Sequence, residues 1–315
     1  MTRSSIVVTG GMGFIGSNIV RKLNDLGYSD LYIIDSPTNG SEKNLVGCKF
    51  KDVIDKDKCL ESIRHGKFSN LGKIETIFHQ GAITDTTFQD EEEITEVNYA
   101  LSVGIFRHCM EHNIRMIYAS SASVYGLGEN GFEADVDCEK PLNLYAKSKL
   151  DFDNYFRRNY DFDSGVQIVG LRYFNVYGPG EDHKGGMASP INQFARQAIE
   201  NNEIKVFEGS ENFHRDFIHV DDIVKINMHF MRKSEDVGIY NCGTGKTNSF
   251  QDVANIVSEA TGAEIKTIPF PEKLVGKYQA HTKADITPLR RTACSTRFRE
   301  FSEAALEYTN SMIAK

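Results

Sequence analysis

Tyr145 and Lys149 are the residues of this chain whose types and spacing most directly suggest chemistry. They stand four apart, so on a helix they share one face. An ammonium beside a phenol favours the phenolate and lowers a tyrosine pKa from about 10. A tyrosine so tuned is an acid/base suited to interconverting an alcohol and a ketone. Ser121 lies just past a strand-like run, Met116–Ser120, where its hydroxyl can hold a substrate oxygen beside that tyrosine. Taken alone, Tyr-x-x-x-Lys describes many solvated helix surfaces, and serines often only cap or turn the chain. The elements that position these residues therefore decide what the pattern means.

The strongest positioning signal is Thr9-Gly10-Gly11-Met12-Gly13-Phe14-Ile15-Gly16 after the apolar run Ile6-Val7-Val8. Glycines between a buried strand and a helix let a pyrophosphate rest on the helix N-terminus, where free N–H groups and the helix dipole favour anions. Asp35 follows Gly16 by 19 residues, at the end of Leu31-Tyr32-Ile33-Ile34. That is where a dinucleotide-binding unit places its ribose-binding acid. Pro141, just ahead of Tyr145, suits a helix entry.

The chain has 315 residues and a net charge of −8. The length allows one large domain or two modest ones. The charge argues against a broad nucleic-acid or anionic-membrane surface. Six scattered cysteines form no C-x-x-C pair or zinc spacing, which predicts reduced, mostly buried thiols and no metal site. No apolar run is long enough for a bilayer, and the first strand starts almost at the N-terminus, so a cytoplasmic protein is expected.

Strand-like runs at 5–9, 31–35, 76–79, 116–120 and 167–171 alternate with helical patterns. That order predicts an α/β fold: a doubly wound parallel Rossmann sheet with a smaller α/β substrate-binding lobe. Residues 1–176 and 213–242 are assigned to the dinucleotide-binding domain, and 177–212 and 243–315 to the lobe. Residues 180–190 read as a polar loop. Helices are predicted at 191–200 and 249–260, and strands near 204–207, 216–220 and 265–268.

With Ser121, Tyr145, Lys149 and the glycine turn together, the chain resembles the extended short-chain dehydrogenase/reductase superfamily, in its nucleotide-sugar-modifying branch. His79-Gln80-Gly81-Ala82, Asn98 and Arg215-Asp216-Phe217-Ile218-His219-Val220-Asp221-Asp222 fit its characteristic segments. Further blocks resemble the ADP-L-glycero-D-manno-heptose 6-epimerase family: Tyr118-Ala119-Ser120-Ser121-Ala122, Arg172-Tyr173-Phe174-Asn175-Val176-Tyr177-Gly178-Pro179, His183-Lys184-Gly185, Phe207-Glu208-Gly209-Ser210-Glu211-Asn212-Phe213, and the stretch from Ile268-Pro269-Phe270-Pro271 to Gly276-Lys277-Tyr278-Gln279-Ala280.

The resemblance implies inversion of C6 of the heptose through a 6-keto sugar, for heptose incorporation into bacterial surface glycans. It implies Tyr145 and Lys184 as acid/bases for opposite directions, with Lys149 orienting the nicotinamide ribose and Ser121 holding the oxygen. For the cofactor it implies Gly10, Gly13, Phe14, Ile15, Gly16, Asp35, Ser36, Lys43, Asp52, Lys56, Gln80, Gly81, Ala82, Asn98, Lys149 and Val176. For substrate it implies Ser121, Asn175, Gly186, Gln193, Phe207, Glu208, Gly209, Ser210, Arg215 and Tyr278. Physically, Arg215 offers a fork for a diphosphate; without the family match, an ion pair with Asp216 or Asp222 would explain it equally well. NADP is the cofactor expected, through Lys43 and Lys56, although Asp35 would suit NAD. The expected partner is a small-molecule nucleotide sugar, with no nucleic acid and no membrane, and a homo-oligomer is expected. The chain departs from the family pattern at Gln80, at Ile83-Thr84-Asp85, and at Gly186 and Gln193, which bear on sugar specificity. The alternatives are a UDP-hexose 4-epimerase and a catalytically silent nucleotide-sensing protein.

Overall fold

The computed structural model describes residues 4–64, 71–233, 235–272 and 279–314. The strands are β1 Ser5–Thr9, β2 Leu31–Ile34, β3 Asp52–Ile54, β4 Ile74–His79, β5 Arg115–Ser121, β6 Ile168–Tyr173, β7 Asn175–Tyr177, β8 Glu203–Phe207, β9 His214–Arg215, β10 Phe217–His219, β11 Gly238–Cys242, β12 Asn248–Ser249 and β13 Glu264–Ile268. The helices are α1 Phe14–Asp25, α2 Lys56–Arg64, α3 Glu91–Ile94, α4 Leu101–His112, α5 Leu144–Asn159, α6 Pro190–Asn201, α7 Val220–Arg232, α8 Phe250–Thr261, α9 Thr287–Arg291 and α10 Phe301–Ile313. A π-helical stretch, Thr95–Ala100, joins α3 to α4. None of the helices is long and apolar enough to cross a membrane among the described residues.

The chain groups into two compact units. The first comprises Met1–Val124, Pro141–Arg172 and Val224–Tyr240, and the second Tyr125–Lys140, Tyr173–Ile223 and Asn241–Lys315. The segment Tyr125–Lys140 thus groups with the C-terminal residues rather than with the strands on either side of it.

The first unit is built on a seven-stranded sheet in the order β11-β6-β5-β4-β1-β2-β3. The pairings of β1 with β2 and β4, β2 with β3, and β4 with β5 are parallel. This is the doubly wound Rossmann order, and chain direction reverses its progress between β1 and β4. Parallel strands buried on both faces read as continuous apolar runs, as in Ile6-Val7-Val8. Their core joins Val7, Ile77, Met116 and Ile168 from the strands to Ile105, Phe106, Phe152 and Phe156 from the helices.

The second unit is centred on α6, α8 and α10, which bury Ile191, Phe194, Val253, Val257, Ala305 and Tyr308. β8 pairs with β13 in parallel, from Glu203↔Glu264 to Phe207↔Ile268. β7 pairs with β10, and β9 with β12. The predicted run at 216–220 is cut short, because Val220 opens α7. The 180–190 loop contains a 3-10 helix, Asp182–Met187, broken at Gly185 with φ 53° and ψ −123°.

Candidate active site

In the first unit, the carboxyl ends of β1 and β4 bring two glycine backbones together. A Cβ at Gly10 would lie 2.6 Å from the Gly81 nitrogen, and one at Gly16 would lie 2.1 Å from the Gly10 carbonyl oxygen. Gly10 also has φ +65°, which a side chain would strain. Gly13 caps α1 with no side-chain hydrogen bond to its first turn, and a helix start of this kind suits an anion. Asp35 is drawn onto this turn: its carboxylate accepts from the Met12 N–H and the Ser36 N–H, both at 2.8 Å. A close-approach glycine cradle, a helix start and a fixed acid fit a dinucleotide's pyrophosphate and ribose.

Around Asp35, the Ser36 hydroxyl donates to Asp55 at 2.8 Å. Lys43 is exposed on the 3-10 helix Ser41–Leu45. Lys56 lies 3.4 Å from Asp57 at the start of α2. Asp52 is exposed at the start of β3, its carboxylate accepting from the Val53 N–H.

Behind the cradle runs a buried polar chain. The Gly81 N–H donates to the Thr9 hydroxyl, which meets His79 Nδ1 at 2.7 Å. His79 Nε2 meets the Ser102 hydroxyl at 2.8 Å, and that hydroxyl donates to the Asn98 carbonyl. Ser102 therefore receives the imidazole N–H, and Thr9 donates to the other ring nitrogen. Burial, with the Lys149 charge adding, pushes His79 down to about 3, so the ring is neutral. Asn98 exchanges hydrogen bonds with the Ile83 backbone and donates to Ser148, whose hydroxyl donates to the Tyr145 carbonyl. Gln80, Gly81 and Ala82 leave β4 along this chain.

α5 does not begin at Pro141. Asn143 caps it, accepting from the Ala146 N–H at 2.8 Å, and the helix starts at Leu144. Tyr145 and Ser121 are brought together: their hydroxyls are hydrogen-bonded. Lys149 is buried, its amine donating to the Ala119 carbonyl at 2.9 Å and lying 6.0 Å from the Tyr145 ring centre. The lowering of Tyr145 expected from this ammonium does not occur. Burial dominates and pushes the phenol up, and only the Ser121 hydrogen bond opposes it. Burial also pushes Lys149 down to about 8, against the pull of Asp153.

Asp153 is a residue that motif reading missed. It continues the Tyr145, Lys149 face by one more turn and is wholly buried. Its carboxylate accepts from Arg172 Nε at 3.0 Å and Nη2 at 2.8 Å, from Ser120 at 2.9 Å and from Tyr118 at 3.0 Å. Tyr118 and Ser120 bracket Ala119, the acceptor of the Lys149 amine. The Asp153–Arg172 pair thereby fixes the end of β5 against α5. The spacing of four from Lys149 was the available signal.

In the second unit, Asn175 and Val176 lie on β7, opposite Phe217 and Ile218 of β10. Asn175 also faces the Thr282 hydroxyl at 3.4 Å. Arg215 is buried on β9, donates to the His214 carbonyl and lies 5.3 Å from the Phe250 ring centre. Neighbouring Asp216 directs its carboxylate to the N–H groups of Thr244, Gly245 and Ala284 and the Thr244 hydroxyl. Asp222 accepts from the Arg299 N–H. Phe207 ends β8 and contacts the Phe270 ring, and the Glu208 N–H donates to Ile268. Gly209, at φ +81°, turns the chain, and Ser210 bonds Gln251. Lys184 and Gly186 sit on the 3-10 helix 182–187, and Gln193 bonds the Gly186 and Ala188 carbonyls. Tyr278 lies outside the described residues. The cysteines are unbridged: five are buried and Cys48 is half-buried. No cluster of three or more metal-ligating side chains occurs among the described residues.

The chain is 47% identical over 307 residues to an ADP-L-glycero-D-manno-heptose-6-epimerase of Brachyspira hyodysenteriae, covering 96% of each chain. It is 43% identical to the protein of that name from Alkalilimnicola ehrlichii, over 98% of this chain and 97% of that one. The structure is similar to the crystal structure of Helicobacter pylori ADP-L-glycero-D-manno-heptose-6-epimerase, with TM-score 0.86, 30% identity and coverage of 99% and 97%. Residues 6–243, which hold the glycine cradle, Ser121, Tyr145, Lys149 and Lys184, match one family model, and the chain belongs to the NAD dependent epimerase/dehydratase family.

Proposed function

We propose that this protein is an ADP-glycero-manno-heptose 6-epimerase, an isomerase that inverts C6 by transient oxidation. The observation that carries the reaction type is the Tyr145–Ser121 hydrogen bond at the carboxyl end of β5, with Lys149 one helical turn away. The sugar follows from the names of relatives at 47% and 43% identity over nearly the whole chain.

Gly10, Gly13 and Gly16 leave room for the pyrophosphate at the start of α1, and Asp35 accepts from a ribose hydroxyl. The dinucleotide supplies, when bound, reversible two-electron hydride chemistry at C6. Tyr145 takes the proton of the 6-hydroxyl in one direction and returns it in the other. Ser121 holds the oxygen, and Lys149 orients the nicotinamide ribose. A 6-keto sugar forms and is turned over. Lys184 then serves as acid/base on the opposite side, because an oxygen that changes sides leaves the first group behind. Arg215 holds the diphosphate as a fork. Asn175, Gly186, Gln193, Phe207 to Ser210, and Tyr278 complete the sugar and nucleotide contacts.

For the cofactor we propose NADP, with Lys43 and Lys56 supplying the cations for a 2′-phosphate. NAD is the second reading, favoured by one observation: Ser36 is flanked by the carboxylates of Asp35 and Asp55. Mass spectrometry of the nucleotide released on denaturation decides between them.

The function is tested by incubating purified protein with ADP-D-glycero-D-manno-heptose in D2O and following C6 by NMR. Inverted product without deuterium at C6 is expected. No conversion, or conversion of UDP-galactose alone, would overturn the proposal.

A further inference from the structure

Glu181 is a wholly buried carboxylate that the chemistry above leaves unused. It stands three residues before Lys184, at the entry to the 3-10 helix that carries the amine. Its Oε1 accepts from the Gly178 N–H at 3.1 Å and the Ser189 hydroxyl at 2.7 Å, and its Oε2 from the Ser189 N–H at 2.5 Å. The Tyr308 hydroxyl of α10 also bonds it. The Glu181 carbonyl receives the Lys184 N–H at 3.0 Å. One side chain thus ties the chain before the turn, at Gly178, to the N-cap of α6 after it, at Ser189.

We propose that Glu181 is a positioning residue for Lys184, clamping the turn that presents the amine and supplying the buried negative charge that balances it. The partners of the carboxylate include two backbone amides, which can only donate, one to each oxygen. Such a cradle favours the ionised acid. Burial pushes Glu181 up and Lys184 down, and each charge opposes the shift of the other. Asp182 accepts from Asn192 and lies 3.9 Å from Arg196 of α6, while Tyr308 is pushed up by burial and by the charges of Glu181 and Asp182. Burial lowers Lys184, and the Glu181 charge opposes that shift. A base that must both give and take a proton is useful only if its proton affinity is set near the working pH.

This inference rests on the reading of Lys184 as an acid/base. Its test does not depend on turnover. Lys184 acetylation by an N-hydroxysuccinimide ester is measured by peptide mass spectrometry across pH, in the wild type and in Glu181→Gln. Loss of the carboxylate should lower the labelling midpoint of Lys184 by about one pH unit, raising its reactivity about tenfold near neutrality. A carboxylate that only holds the turn gives the opposite sign, because a loosened turn hydrates the amine and raises the midpoint. An unmoved or raised midpoint would overturn the proposal. Should Glu181→Gln fail to fold, Tyr308→Phe removes one donor to the carboxylate and so weakens its charge; a lowered midpoint with reactivity raised about threefold supports the proposal, and an unmoved or raised midpoint overturns it. Full turnover by Lys184→Ala would instead remove the catalytic reading and leave the labelling result standing.

Discussion

Each unit of this protein buries a carboxylate close in sequence to a lysine, and the two are held in different ways. In the first unit Asp153 follows Lys149 by one helical turn and shares two hydrogen bonds with the Arg172 guanidinium. In the second, Glu181 precedes Lys184 on a short turn and receives hydrogen bonds from neutral donors. Asp153 has its own counter-charge, so it can serve as a rigid brace between β5 and α5. Glu181 is held by neutral donors, and its charge opposes the downward shift that burial imposes on Lys184. A brace and a charge balance are different uses of one functional group, and the identity of the partner distinguishes them.

The largest effect should come from the braced side. Tyr145→Phe removes the phenol acid/base and should lower kcat by about 10³, within the range for a general acid/base. Its melting temperature should change little, because the ring stays packed. Unchanged turnover in a sugar-nucleotide assay would remove Tyr145 from the reaction.

Arg172→Met probes the brace itself. It leaves Asp153 buried without its counter-charge and should cost about 3–5 kcal/mol in urea denaturation. A loss below about 1 kcal/mol would show that the pair is no more than a surface-like contact.

His79 gives a pH-dependent effect of similar origin. Its folded value, about 3, lies below the ordinary 6.5. The neutral ring therefore contributes stability above 6.5 that is lost progressively as pH falls toward 3. Between pH 7 and pH 4 the wild type should lose about 3 kcal/mol more than His79→Gln, measured by denaturant unfolding at each pH. Parallel pH curves would contradict a buried neutral imidazole.

The smallest effect belongs to the clamp of the second unit. Ser189→Ala removes the N-cap of α6 and one donor to Glu181, and should cost about 1 kcal/mol. Turnover should fall with it, whereas removal of the Ser249 cap of α8, in Ser249→Ala, should lower stability alone. Equal effects on turnover would break the link between the Glu181 clamp and Lys184.

Much of this was legible in the chain because it is local. The glycine turn, Asp35 and the apolar strand before them lie within one βαβ unit, and glycine spacing reports backbone approach directly. The order of strand and helix implied the Rossmann sheet, although three-residue β3, Asp52–Ile54, carries too little pattern to be seen. Other features depend on distant partners. Asp153 and Arg172 look like surface charges until α5 and β6 are packed together. Glu181 reads as part of a polar loop because one of its donors, Tyr308, comes from elsewhere in the chain. The direction of the Tyr145 shift is not legible for the same reason, since spacing shows the ammonium but not the burial that outweighs it.

The measurement that bears most directly on the account is turnover of ADP-D-glycero-D-manno-heptose by Lys184→Ala, followed by NMR at C6. A base provided by the turn after Glu181 predicts a fall of at least about a hundredfold, with bound nucleotide and melting temperature retained. Wild-type turnover in that variant would contradict it, and would leave the epimerisation to the first unit alone.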